Sequence, residues 1–156
     1  MKRQMAICLA TVICLGAAAS VTDAHHSYGT FFDLCTRLTI EGQVESVQWK
    51  SPHVWLDVKT DDGTVHHTEW TGPQNLERDG VRPDSVKAGD RILVTGSPFK
   101  DPAVIRQSYP AFKGDSVLNV ISALTQVRRP SDGWNWTGGP PSIPPECAAR
   151  GVQTLR

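Results

Sequence analysis

Residues 54–70, VWLDVKTDDGTVHHTEW, decide the fold class. Val54, Leu56 and Val58 alternate with Trp55, Asp57 and Lys59, the period of two expected of a strand with one buried face. Asp61-Asp62-Gly63 is a turn signal, and Val65 to Trp70 reads as the returning arm of a hairpin. Upstream, residues 38–49 are rich in β-branched side chains (Thr39, Ile40, Val44, Val47) and form another strand, with Gly42 expected as a bulge or bend. Ser51-Pro52 separates it from the hairpin.

Downstream, Gly72-Pro73 opens a short helix, since proline is tolerated in a first turn. Leu76 is its apolar anchor and Gly80 its C-terminal cap. Lys87-Ala88-Gly89-Asp90 is a tight turn into Arg91-Ile92-Leu93-Val94-Thr95-Gly96, a strand bounded by glycine. Further strands are expected around residues 104–108 and 117–125. From Arg128 the sequence RRPSDGWNWTGGPPSIPPECAARGVQTLR, with five prolines and four glycines, reads as a tail without regular core elements. The expected fold is mainly β: a small antiparallel barrel resembling the oligonucleotide/oligosaccharide-binding fold, with one short helix and an irregular Pro/Gly-rich C-terminal tail. A barrel over residues 25–127 and a tail over 128–156 follow. Architecture of this kind carries no function with it.

The first residues have the three parts of a secretory signal: basic Lys2 and Arg3, an apolar run from Met5 to Ala19, and a small-residue exit. The run is shorter than the about 20 apolar residues that span a bilayer, so no stable membrane anchor is expected after processing. Cleavage is expected after Ala24, where polar sequence begins, with Ala19 as the other option. Residues 1–24 form the signal peptide, which leaves 132 of the 156 residues, one domain's worth, in the periplasm or outside the cell. Processing also takes Lys2, Arg3 and Asp23, so 16 basic and 16 acidic residues become 14 and 15. That balance gives no footprint for nucleic acid or an anionic membrane. Cys35 and Cys147 remain as an even pair, read as a disulfide rather than a thiolate metal site or reactive cysteine, because no Cys-x-x-Cys occurs.

His25-His26-Ser27-Tyr28, Trp49-Lys50-Ser51-Pro52-His53-Val54-Trp55 and Lys87-Ala88-Gly89-Asp90 together form a set. On these motifs the chain resembles a family of small exported bacterial proteins of unknown function, which share a His-His-Ser-aromatic start after the signal peptide and a Trp-x-x-Pro-His motif. The likeness spans roughly residues 25–125; the tail and the cysteine pair depart from the usual pattern. The resemblance implies export and fold, and it brings no activity.

All five histidines, His25, His26, His53, His66 and His67, are metal-ligand candidates, and copper is the leading ion because Cu(II) tops the affinity order for such ligands. If cleavage follows Ala24, the amine and imidazole of His25 chelate one ion, and His53, His66 or His67 completes the site. If it falls one residue earlier, His25 stands second and His26 third, an arrangement that binds Cu(II) or Ni(II) through backbone nitrogens. The competing reading makes them ordinary polar residues, since no fixed ligand spacing is present. Trp49, Trp55 and Trp70 either line a face that stacks on a carbohydrate or other small ligand, or seal the barrel ends. Trp134 and Trp136 offer the same choice between clamp and platform. Asp57 and Glu69 are placed to face one another across the hairpin. No nucleophile elbow, P-loop or dinucleotide fingerprint appears, and nothing fixes an oligomeric state. The expectation is an exported, non-catalytic binding or accessory protein, with copper or another metal as its ligand. The alternatives are a Trp-faced module for a small ligand, carbohydrate or protein, and an enzyme with an unrecognised site.

Overall fold

The computed structural model describes residues 28–101, 103, 119–138, 145, 147 and 153–155. The chain enters through one helical turn, α1 (Tyr28–Phe31), and then β1 (Thr36–Gln48), β2 (Trp55–Thr60) and β3 (Val65–Glu69). Helix α2 (Pro73–Arg78) leads to β4 (Arg91–Pro98), β5 (Val120–Arg129), β6 (Trp134–Thr137) and β7 (Gln153–Leu155). β1 pairs with both β2 and β4, β2 with β3, and β4 with β5. A short parallel contact, His67 to Val120 and Thr68 to Ile121, joins β3 to β5 and closes the ring. The result is a small barrel-like sheet resembling the oligonucleotide/oligosaccharide-binding fold. The strand expected at residues 104–108 and the signal peptide expected over residues 1–24 lie outside the described residues.

Alternation sets the inside of the ring. Leu56 and Val58 are fully buried, and they meet Val44, Ile92, Val94, Ile121 and Val127 in one cluster. Each such side chain contributes roughly 1.5–3 kcal/mol by leaving water. The expected bulge at Gly42 sits elsewhere: register slips between Val44 and Ser46. Gly42 instead solves a contact problem, because a Cβ there would lie 2.3 Å from the Lys59 carbonyl oxygen. Helix α2 ends as the sequence suggests. Gly80 has φ +82, its N–H donates to Glu77 O, and Val81 N–H donates to Leu76 O, the paired bonds of a Schellman cap.

The C-terminal segment is more regular than its composition suggests. β5 runs on to Arg129, and the turn through Gly133 (φ +77) returns the chain as β6 against it. Arg129 fastens this hairpin, donating to Asp132, Asp90 Oδ2 (2.7 Å) and Ser85 O (2.8 Å) while its guanidinium lies 5.7 Å from the Trp134 ring. β7 then pairs in parallel with Thr36–Leu38 of β1. Cys35 and Cys147 are joined in a disulfide with Cα atoms 4.9 Å apart, directly ahead of that pairing.

The bridge closes a loop of 112 residues. In the chain-entropy model a loop of that size stabilises by about 4–5 kcal/mol. Urea unfolding of the oxidised protein and of the Cys35→Ser/Cys147→Ser variant is expected to show a loss of several kcal/mol up to that bound. Equal midpoints would mean that neither the bridge nor the docked tail supports the barrel.

Candidate functional site

The β1–β2 loop is clasped to the end of β3. Trp70 N–H donates to Val54 O (2.8 Å) and Val54 N–H to Thr71 O (3.2 Å). Within this loop, which contains a cis Ser51–Pro52 bond, His53 Nδ1 lies 3.1 Å from the Trp70 carbonyl oxygen. A carbonyl only accepts, so Nδ1 carries a proton and donates it to the Trp70 carbonyl. Glycine is required at position 72 for the clasp: a Cβ there would lie 2.7 Å from Pro52 O.

The turn at residues 61–64 fixes the hairpin register, with Trp55 opposite Glu69 and Asp57 opposite His67. Asp57 and Glu69 therefore do not face one another; each serves a histidine. Glu69, only 4% exposed, has its carboxylate 3.5 Å from His53 Nδ1. A buried carboxylate needs a partner of this kind, because desolvation disfavours an unpaired charge. Asp57 accepts from His67 Nδ1 (2.7 Å) and from Ser46 Oγ (2.6 Å). This second pair resembles the base half of a hydrolytic triad. The serine, however, donates to the carboxylate and not to the imidazole, so it is no activated nucleophile.

Successive β3 residues point to opposite faces, which separates the neighbouring histidines. His67 shares the outer face of the hairpin with Glu69, Asp57 and Trp55. His66, opposite Val58, points the other way. Its Nδ1 is buried with no hydrogen-bond partner among the described residues. Burial holds the His66 pKa below the ordinary imidazole value, while Asp62 pulls it up and His67 pushes it further down. His66 is thus removed from any outer-face site. His53 sits in the β1–β2 loop beside Glu69, and His67 sits two positions before Glu69 on the same face of β3. Among the described residues no group of three or more His, Cys, Asp or Glu is placed to hold a metal ion. His25 and His26 lie outside the described residues.

The tryptophans divide as well. Trp70 is 1% exposed and packs edge-on against Trp136 (5.1 Å) and Trp134 (6.5 Å), while Trp136 Nε1–H donates to Asp79 Oδ2. Trp49 packs against the same core. Of the three, read as either a ligand face or a seal, Trp70 belongs to the core, Trp49 packs half-buried against it, and Trp55, also half-buried, lies on the outer hairpin face opposite Glu69. Trp136 is buried in the core and Trp134 packs half-buried against it. The sequence did not single out Ser46, whose role depends on its register opposite Asp57 across the bulge. No helix among the described residues is long and apolar enough to cross a membrane.

Residues 11–105 match the model of a family described as a family of unknown function (DUF6152), and the chain belongs to that family. No curated protein and no solved structure matches.

Gly72→Ala should strain the clasp, because the new methyl group meets main chain and not a flexible side chain. The expected cost is about 1–3 kcal/mol in urea unfolding, with a changed tautomer signature in the ring-nitrogen spectrum of His53. Wild-type stability and an unmoved His53 signature would show that the loop does not depend on this contact.

Proposed function

Since family membership brings no assigned activity, we propose from the site itself that this is an exported, non-catalytic metal-binding or accessory protein of the periplasm or cell exterior, with Cu(II) the favoured ion. In this reading residues 1–24 are removed as a signal peptide, and the new amine and imidazole of His25 chelate the ion. His53 supplies a further nitrogen and Glu69 a neighbouring negative charge. The observation that carries the reading is the fixed His53 ring. With Nδ1–H donated to the Trp70 carbonyl, Nε2 is the basic nitrogen, and a ligating histidine usually has its other nitrogen held by a carbonyl or carboxylate in this way. A Cys35–Cys147 disulfide fits an oxidising compartment. The outer β2–β3 face and the β1–β2 loop are also where barrels of this kind bind their ligands.

The chemistry favours copper. Imidazole and amine nitrogens suit tetragonal Cu(II), which binds such donors more tightly than the other divalent first-row ions. An α-amine has an ordinary pKa of about 8 and loses its proton readily to a competing metal. Of the wider tryptophan face that the carbohydrate reading needs, Trp70 lies in the core. His67 forms its own pair with Asp57 on the same outer face.

The test is Cu(II) titration followed by electron paramagnetic resonance, on native-terminus protein and on protein with one residue added before His25. The two should differ in spectrum and in affinity. His53→Ala should weaken binding at least tenfold, and His66→Ala should leave it unchanged. Identical spectra and affinities with and without the extension would overturn the proposal.

A further inference from the structure

On the side of the barrel formed by β1, β4 and β5, three polar side chains stand in one row. Leu38 faces Gly96 and Ser97 faces Ser122, so Arg37, Ser97 and Ser122 follow one another across adjacent strands. Directly opposed residues share a face. Both serines are fully buried. Arg37 Nη1 donates to Ser97 Oγ and to Leu34 O, so its guanidinium lies over β4. Ser122 Oγ has no hydrogen-bond partner among the described residues. Phe32, Leu34 and Ala123, with Phe99 packed against them, form a small apolar cluster at this end of the sheet. The backbone is unusual here too: Ala123 has φ 48, and a Cβ at Gly96 would lie 2.7 Å from Ser122 O.

These groups are short of acceptors. Both hydrogen bonds of Arg37 run through Nη1, so among the described residues Nε and Nη2 have none. The nearby carboxylate of Asp33 is engaged by Cys35 N–H (3.0 Å) and Thr36 Oγ (2.7 Å). A buried hydroxyl left unpaired is destabilising, and one without an explanation is uncommon in a folded protein. Neighbouring strands are about 4.8 Å apart. One oxygen atom between a guanidinium over β4 and a hydroxyl on β5 therefore reaches both at ordinary hydrogen-bond length.

We propose that Arg37, Ser97 and Ser122 form a subsite for the carboxylate group of a small organic acid, independent of the metal site. A carboxylate only accepts hydrogen bonds, which matches a row of donors, and its planar pair of oxygens fits the guanidinium fork. One oxygen takes the Ser122 hydroxyl proton and the other takes Arg37 Nη2–H or Nε–H. The half-buried Arg37 side chain marks the way in.

Acetate is the probe, compared with chloride at matched ionic strength. The thermal midpoint and the Arg37 Nε–H resonance are followed in wild type, Ser122→Ala and Arg37→Lys. Acetate should raise the wild-type midpoint and shift the Arg37 signal in a saturable way, and chloride should do neither. Ser122→Ala should fold at least as stably as wild type without acetate, since it removes an unpaired hydroxyl, but bind acetate at least tenfold more weakly. Arg37→Lys, which keeps the charge and loses the fork, should also lose saturable stabilisation. Acetate effects equal in wild type and Ser122→Ala, or equal for acetate and chloride, would overturn the proposal.

Discussion

Strand β1 has to pair with β2 as well as β4 inside the ring, and Gly42 lies where the two pairings overlap. Gly42 and Gln43 pair with Thr60 and Lys59 of β2 and also with Ile92 and Arg91 of β4. Before them the strand belongs to β4, and after them to β2. At the crossing the main chains come so close that a Cβ on residue 42 would lie 2.3 Å from Lys59 O and 2.7 Å from Lys59 C. Main chain cannot rotate away as a side-chain tip can. The absence of a side chain at this position is what lets an open sheet curl into a ring and bury Leu56, Val58, Ile92 and Val94 together.

The outer face takes its arrangement from that closure. With β2 held against β1, Ser46 lies opposite Asp57, and the hairpin register then places His67 against the same carboxylate. The end of β3 is clasped to the β1–β2 loop, which orients His53 through the Trp70 carbonyl and brings Glu69 beside it. The indole of Trp70 points inward to Trp134 and Trp136, so β6 braces the far side of the clasp. Histidine and carboxylate alternate on this face as two separate pairs, one at the loop and one at mid-strand. Both rings are tied at Nδ1, by a carbonyl in one case and a carboxylate in the other.

Much of the frame was legible in the sequence because its signals are local. The alternation over residues 54–60, the Asp61-Asp62-Gly63 turn and the Pro73-to-Gly80 helix each depend on neighbours a few positions away. Gly42 was visible as an exception, but as a bulge; its reason lies in a strand many residues later. The alternating faces of His66 and His67 were implied by strand geometry, while which of them faced outward depended on the ring. The expected Asp57–Glu69 pairing failed by two positions of register, and Trp70 went to the core because tail tryptophans fill the space beside it. Proline and glycine hid β6 and β7, since composition gives no sign that a strand will find an edge to pair with. The row of Arg37, Ser97 and Ser122 is equally invisible in sequence, as its members come from three strands.

The most direct test of this account is the unfolding of Gly42→Ala in urea, combined with amide hydrogen exchange at Lys59, Thr60 and Ile92. If the crossing at residue 42 closes the ring, the single methyl group should cost about 3 kcal/mol, at the upper end for overpacking because the clash is with main chain. Protection should fall at the β1–β2 pairing first. A variant within about 0.5 kcal/mol of wild type, the range of an ordinary surface change, with unchanged protection at those amides, would contradict it.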